Sequence, residues 1–320
     1  MRGDDLALPE PVADLPDDVR LMHSVLSNRK VGKQTVDVEN CGTAMRFLTA
    51  FFACQPDMDV VIDGTDRMRK RPIGQLVDAL RELDADIEYL GEQGFPPLHI
   101  KGKKLKQKEV FLSHPQSTQF VSALLLIDVK VDTDIRSPYI DMTRQVLNGN
   151  YSEDSFEKCW SSAAFWYEAV ALYGGEMLLE GLSLESIQGD RKVADIFRQL
   201  GAQTEVVDGG ILISRSAEPM IEELALDFST CPDLYPAVFA TCVRLGIKMQ
   251  FSGLESLPLK ESNRLEAMRQ MEEPDRHVCS SCADHRIAMA LLVAGKEVDD
   301  TDCIRKSYPR FLEQWQRLHL

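Results

Sequence analysis

Arg67, Arg69, Lys70 and Arg71 set four cations within five positions of a chain whose formal net charge is −15. They follow Val60-Val-Ile62, a β-branched run closed by the turn signal Asp63-Gly64, and precede Leu76, Val77, Leu80 and Leu83 on one helical face. Pro72 stands where the first helical residue is expected. Free backbone N–H groups and the positive end of a helix dipole already favour an anion at such a junction, so the cluster reads as an anion clamp rather than solvated surface. Asn40-Cys-Gly-Thr-Ala-Met-Arg46 makes a second strand-to-helix junction. There Asn40 and Thr43 are candidate N-caps, Gly42 permits close backbone approach, and Arg46 follows one turn in. Ser117-Thr118-Gln119 places two hydroxyls and an amide at the start of an apolar helix, where capping alone would also explain the hydroxyls.

The second half gathers charge at helix entries too. Asp233 follows Pro232, Lys260, Glu261 and Arg264 fall within five residues, and Asp284-His285-Arg286 opens a helix with an acid, an imidazole and a guanidinium. Arg305 and Lys306 precede the last helix. His277, Cys279, Cys282 and His285 have a spacing that could ligate zinc. A structural zinc site usually pairs two knuckles from separated segments, and no second Cys-x-x-Cys occurs, so no metal is expected.

The elements that position these residues belong to an ordinary globular chain of 320 residues, 44% hydrophobic and 27% charged, with room for two cores. A pI near 4.9 argues against nucleic acid or an anionic membrane as a partner, since the bulk field repels both. Neither a membrane-spanning apolar run nor a signal-peptide core is present, and the eight cysteines are too dispersed for a disulfide scaffold, so a cytoplasmic protein with reduced thiols is expected. Helices are predicted over 17–27 and 160–173, the latter ended by Gly174-Gly175, and alternating strands over 85–90 and 98–100. A helix followed by Leu83-Asp84-Ala85 and a strand recurs at Leu200-Gly201-Ala202, which marks a repeated β/α unit that must be assembled with siblings. Residues 1–14 read as an irregular lead-in. The polar stretch after Asn148 is the best boundary, cut near residue 152 into domains 1–152 and 153–320.

Nine ordered motifs carry a family resemblance. They are Asn40-Cys-Gly-Thr-Ala-Met-Arg46, Arg67-Met-Arg-Lys-Arg71-Pro-Ile, Ser117-Thr-Gln119-Phe, Pro138-Tyr139-Ile-Asp-Met-Thr, Gln188-Gly-Asp, Pro232-Asp233, Leu259-Lys-Glu-Ser-Asn-Arg264, Asp284-His-Arg286-Ile-Ala-Met and Lys306-Ser-Tyr-Pro. With them the chain resembles the EPSP synthase (3-phosphoshikimate 1-carboxyvinyltransferase) family, and matches the sibling UDP-N-acetylglucosamine enolpyruvyl transferases poorly. The resemblance implies a two-domain inside-out α/β barrel of repeated βαβαββ units, with a cleft where helix N-termini meet two anionic substrates. It implies transfer of the enolpyruvyl group of phosphoenolpyruvate to the 5-hydroxyl of shikimate 3-phosphate, a step of aromatic amino acid biosynthesis and the target of glyphosate. Carried over, Gly42, Arg71, Gln119, Arg264, Arg286 and Lys306 hold phosphoenolpyruvate. Ser117, Thr118, Gln119, Tyr139, Asp233 and Lys260 hold shikimate 3-phosphate, and Arg46 braces the wall. Asp233 and Glu261 form the acid/base pair with His285 alongside. No cofactor, nucleic acid or membrane is implied, and a monomer is expected.

The chain also departs from the pattern. It lacks the Lys-Ser-x-x-x-Arg segment upstream of Asp17, and the intervals 128–137, 147–160 and 271–283 are short, the last two reading as devoid of strands. Arg136-Ser137 inverts the usual order, Ser256 replaces an Asn, and Asn263 replaces an acid. The alternative is a shortened, non-catalytic homologue that binds anionic ligands or serves as a partner subunit.

Overall fold

The computed structural model describes residues 15–106, 108–149, 157–215, 221–273 and 275–318. Its backbone divides into two compact units, Met1–Asn148 and Gly149–Leu320. The 1–14 lead-in and the cut expected near residue 152 lie outside the described residues.

In unit 1, α1 (Asp17–Ser27) leads into β1 (Gly32–Asp37), α2 (Gly42–Ala53), β2 (Met58–Asp63), α3 (Gly74–Glu82), β3 (Asp86–Tyr89) and β4 (Leu98–Lys101). β1 and β2 are parallel, and β4 returns antiparallel between β2 and β3, giving the order β1-β2-β4-β3. That is one complete βαβαββ repeat. A second begins with β5 (Glu109–Leu112), α4 (Thr118–Leu126), β6 (Lys130–Thr133) and α5 (Pro138–Leu147), β5 parallel to β6. The interval 128–137 therefore does hold its strand, because Asp128 turns in the left-handed region at φ 64° and Ser137 caps α5 directly. Pro72 does not open α3. A 3₁₀ turn, Met68–Lys70, takes up the junction, and buried Ile73 immediately precedes Gly74.

In unit 2, α6 (Trp160–Tyr173), β7 (Glu176–Glu180), α7 (Val193–Gln199), β8 (Ala202–Val207) and β9 (Gly210–Arg215) make a sheet of order β7-β9-β8. This copies β2-β4-β3 of unit 1, with a 3₁₀ turn, Gly189–Lys192, ahead of α7 as Met68–Lys70 precedes α3. The recurring Leu-(Asp/Gly)-Ala is the turn that closes each helix: Leu83 and Leu200 are buried, and Asp84 (φ 73°) and Gly201 (φ 96°) reverse the chain. Then come β10 (Glu223–Asp227), α8 (Tyr235–Leu245), β11 (Lys248–Ser252), α9 (Arg264–Met268), β12 (Val278–Cys279), α10 (His285–Val293), β13 (Glu297–Val298) and α11 (Phe311–Leu318). β10 is parallel to β11 and β12 to β13. The expectation that 271–283 lacks a strand is thus corrected to a strand of two residues, while most of 147–160 lies outside the described residues.

Sequence pattern explains the layering within each unit. α2, α4, α6, α8 and α10 are apolar on nearly every side, with Met45, Leu48, Phe52, Phe120, Phe165, Val238 and Leu291 buried, and such helices belong in an interior. Strands such as β2 alternate, turning Met58, Val60 and Ile62 inward and Asp59, Val61 and Asp63 outward. Each Leu, Ile or Phe so buried contributes about 1.5–3 kcal/mol, which holds helices inside and sheets outside.

Candidate active site

In unit 1 the site residues sit at three helix N-termini. α2 is capped by Cys41, whose Sγ accepts from Ala44 N at 3.3 Å, and not by Asn40 or Thr43 as expected. Gly42 follows, and here glycine is required by what lies above it. A Cβ would fall 2.3 Å from Arg46 Nη1 and 2.5 and 2.6 Å from Arg71 Nη2 and Nη1. Two buried guanidiniums therefore converge on the positive end of α2, a field that calls for an anion. Arg71 Nη1 also donates to the Asn40 carbonyl at 3.4 Å, and the Arg46 guanidinium lies 5.8 Å from the centre of the Phe120 ring. The clamp read from the sequence is reshaped accordingly. Arg69 is taken by Asp63 through bonds of 3.0 and 2.6 Å, Lys70 is exposed, and Arg46 joins Arg71 in their place.

Gln119 links α4 to this junction, donating through Nε2 to Thr43 Oγ1 at 2.9 Å. Ser117 caps α4 by accepting from Gln119 N at 3.3 Å, and Thr118 is the first helical residue. Tyr139 lies in the first turn of α5, whose buried cap Ser137 accepts from Tyr139 N.

In unit 2, Asp233, Lys260, Glu261, Arg264, Asp284, His285 and Arg286 come together around Arg264, which is 1% exposed. Arg264 donates from Nη1 to Asp233 Oδ1 (2.8 Å), from Nη2 to Glu261 Oε2 (2.9 Å) and from Nε to Asp284 Oδ2 (2.8 Å). Asp233 further accepts from Lys260 Nζ at 3.1 Å and pairs with Arg286 Nη2 at 3.1 Å, and Ser262 Oγ donates to Asp284 Oδ2 at 3.1 Å. Three cations and three carboxylates thus balance in one small volume. Burial pushes the Asp233 carboxyl up, yet Arg286, Lys260 and Arg264 outweigh it and hold it well below the usual carboxylate range. Asp284 is also lowered, Arg264 overcoming burial, and the Arg264 guanidinium is raised by its three acids. Burial, reinforced by Arg286, pushes the His285 imidazole down to about 3, so it is neutral near pH 7. Its Nδ1 stays 3.9 Å from Asp284 Oδ1, and no hydrogen-bond partner reaches it among the described residues.

Asp284 was noted in the sequence as the acid at this helix entry but was given no role in the site. It caps α10 by accepting from Arg286 N at 3.0 Å while binding Arg264, and the available signal was its place beside His285 and Arg286 at a helix start. Lys306 ends the 3₁₀ turn Asp302–Lys306, which packs on α10. Cys279 is buried and Cys282 exposed, and among the described residues no group of three or more His, Cys, Asp and Glu side chains is placed to hold a metal ion.

Comparison with known proteins identifies the family. The family model for EPSP synthase (3-phosphoshikimate 1-carboxyvinyltransferase) matches residues 14–150, 157–272 and 275–315. A 3-phosphoshikimate 1-carboxyvinyltransferase of Bacteroides fragilis is 33% identical over 374 residues, covering 99% of this chain and 89% of that relative. One of Methanopyrus kandleri is 33% identical over 337 residues, covering 88% and 77%. The fold resembles EPSP synthase from Acinetobacter baumannii, with a TM-score of 0.62 at 22% identity over 89% of this chain and 78% of that one. With matches that run from the first helix to the last, the chain belongs to the EPSP synthase family.

Proposed function

We infer that the chain transfers the enolpyruvyl group of phosphoenolpyruvate to the 5-hydroxyl of shikimate 3-phosphate, releasing phosphate. The observation that carries the residue-level reading is the balanced cluster around Arg264. In unit 2, Arg264, Arg286 and Lys306 take phosphoenolpyruvate, while Lys260 and Asp233 take shikimate 3-phosphate. In unit 1, Arg71 beside Gly42, and Gln119, take phosphoenolpyruvate, and Ser117, Thr118, Gln119 and Tyr139 take shikimate 3-phosphate.

The reaction adds the hydroxyl oxygen to C2 of phosphoenolpyruvate as the hydroxyl loses its proton and C3 gains one. From the resulting tetrahedral species C3 gives its proton back, and phosphate departs with the hydroxyl's proton. Asp233, kept ionised by Arg286, Lys260 and Arg264, is the group that receives the hydroxyl proton. As substrate anions draw Arg286, Lys260 and Arg264 toward themselves, the field that keeps Asp233 acidic weakens and its basicity rises. Glu261, paired with Arg264 Nη2 at 2.9 Å, serves C3. Neutral His285 supplies hydrogen bonding rather than charge. Arg264, Arg286 and Lys306 stabilise the charge that develops on the leaving phosphate.

All eight cysteines are free thiols, which fits a reducing cytoplasm, and a monomer is proposed. The test is steady-state phosphate release with both substrates present and with each omitted. Release that requires both supports the reading. Anion binding without turnover would make the chain a non-catalytic homologue.

A further inference from the structure

We infer that Tyr308 is a positioning residue for Lys306, acting through the backbone that joins them. The inference rests on the assignment of Lys306 to phosphoenolpyruvate.

The Tyr308 hydroxyl is fully engaged: it accepts from Trp166 Nε1 at 3.0 Å and donates to Gln314 Oε1 at 2.7 Å. Its ring meets Trp166 edge-on, with centroids 6.3 Å apart at 81°, and packs on Phe311 at 5.6 Å. Trp166 belongs to α6 and Gln314 to α11, so one phenol ties the loop before α11 to the central helix of unit 2. Four residues earlier, Ile304 is buried, and its carbonyl accepts from Ser307 N (3.2 Å) and Tyr308 N (2.9 Å). The short segment carrying Lys306 is therefore pinned at both ends, by Ile304 and by Tyr308. α10, which begins with His285 and Arg286, is the helix on which the 3₁₀ turn containing Ile304 packs.

Such pinning matters because a lysine is a compact point charge on a flexible four-carbon stem, so where its backbone starts decides what the ammonium can reach. An arginine reaches its target as a rigid fork, but a lysine that must meet one phosphate oxygen depends on where its backbone starts. Burial keeps the Tyr308 phenol protonated, so it remains the donor to Gln314 across the working pH range. A merely structural tyrosine would hold α11 down through its ring. The hydroxyl, sandwiched between an indole N–H and an amide oxygen, instead sets the rotation of the ring and thus the path of residues 305–307.

The experiment is a double-mutant cycle on the full chain with Tyr308→Phe, Lys306→Met and both together, reading KM for each substrate and kcat. Tyr308→Phe keeps the ring and its packing, and a thermal melt checks that the fold is retained. KM for phosphoenolpyruvate should rise about five- to tenfold in Tyr308→Phe, the effect of about one neutral hydrogen bond, with KM for shikimate 3-phosphate unchanged. Trp166→Phe, which removes the donor on the other side, should reproduce the effect. In the Lys306→Met background the same change should add less than about twofold. Additive effects in the double variant, or a silent Tyr308→Phe beside a damaging Lys306→Met, would overturn the inference and leave the assignment of Lys306 standing. If Lys306→Met itself leaves phosphoenolpyruvate kinetics intact, the assignment fails and the inference falls with it.

Discussion

At the scale of single residues, Arg264 is held by Asp233, Glu261 and Asp284, and none of the four can be removed without leaving the others unbalanced. Arg264→Met should destabilise the fold by about 3–5 kcal/mol, the loss expected when one partner of a buried ion pair is deleted, measurable as the urea midpoint at neutral pH. The folded carboxyls of Asp233 and Asp284 are lowered, so their contribution is present above the unfolded value of about 3.9 and is lost as pH falls through the folded values. At Gly42, the atoms an added Cβ would meet are guanidinium ends, which can move. Gly42→Ala should therefore leave the melting temperature nearly unchanged and weaken phosphoenolpyruvate, with kcat/KM falling about 10²-fold because both cations are displaced. Arg71→Lys keeps the charge but loses the planar fork, and calorimetry should show affinity for phosphoenolpyruvate reduced by about 1.5–3 kcal/mol. The sequence made most of these residues legible, because charge at a helix entry has few structural uses. Asp284 was noted but given no role in the site, because an aspartate at a helix start already has one use, capping, and its second bond reaches 20 residues back to Arg264.

At the scale of elements, α6 contains a group the chemistry does not use. Glu168 is completely buried, neither carboxylate oxygen has a hydrogen-bond partner among the described residues, and burial raises its pKa well above the ordinary value. Glu168 in turn adds to the burial that raises the Tyr173 phenol at the end of the same helix. Since the folded value lies above the unfolded one, the stabilising effect is full below the unfolded pKa of about 4.3 and is lost as pH rises toward the folded value. Glu168→Leu should raise stability at pH 8 by about 1–3 kcal/mol and much less at pH 4, read from urea unfolding at both. Equal gains at the two pH values would show that the carboxyl is not neutral in the fold. The helix was legible as an apolar run, but its one acid was not assigned a face, because a helix buried all round offers no polar side to compare it with. The caps were less legible still: a thiol at Cys41 does what Asn40 and Thr43 were expected to do, and two-residue strands such as β12 and β13 have no periodicity to read.

For the whole molecule, repetition was the strongest clue to the fold, since the same turn closes α3 and α7 and the same strand order follows each. What remained hidden was how few residues a repeat can use, as the two parallel strands of β12 and β13 show. Light scattering of this 320-residue chain should give 36.0 kDa, the mass of one copy, if it acts as a monomer. A chain of net charge −15 repels small anions everywhere except where cations are grouped, and around Arg264 those cations are masked by an equal number of acids. That masking bears on the reaction's own product. Inorganic phosphate arriving alone must compete with carboxylates already in place, whereas substrates that bring their own hydrogen bonds can share them. The empty enzyme should thus resist inhibition by background phosphate. Asp284→Asn, which strips one masking charge from a buried guanidinium, should slow turnover while tightening phosphate as an inhibitor, two effects that a simple loss of structure would not push in opposite directions.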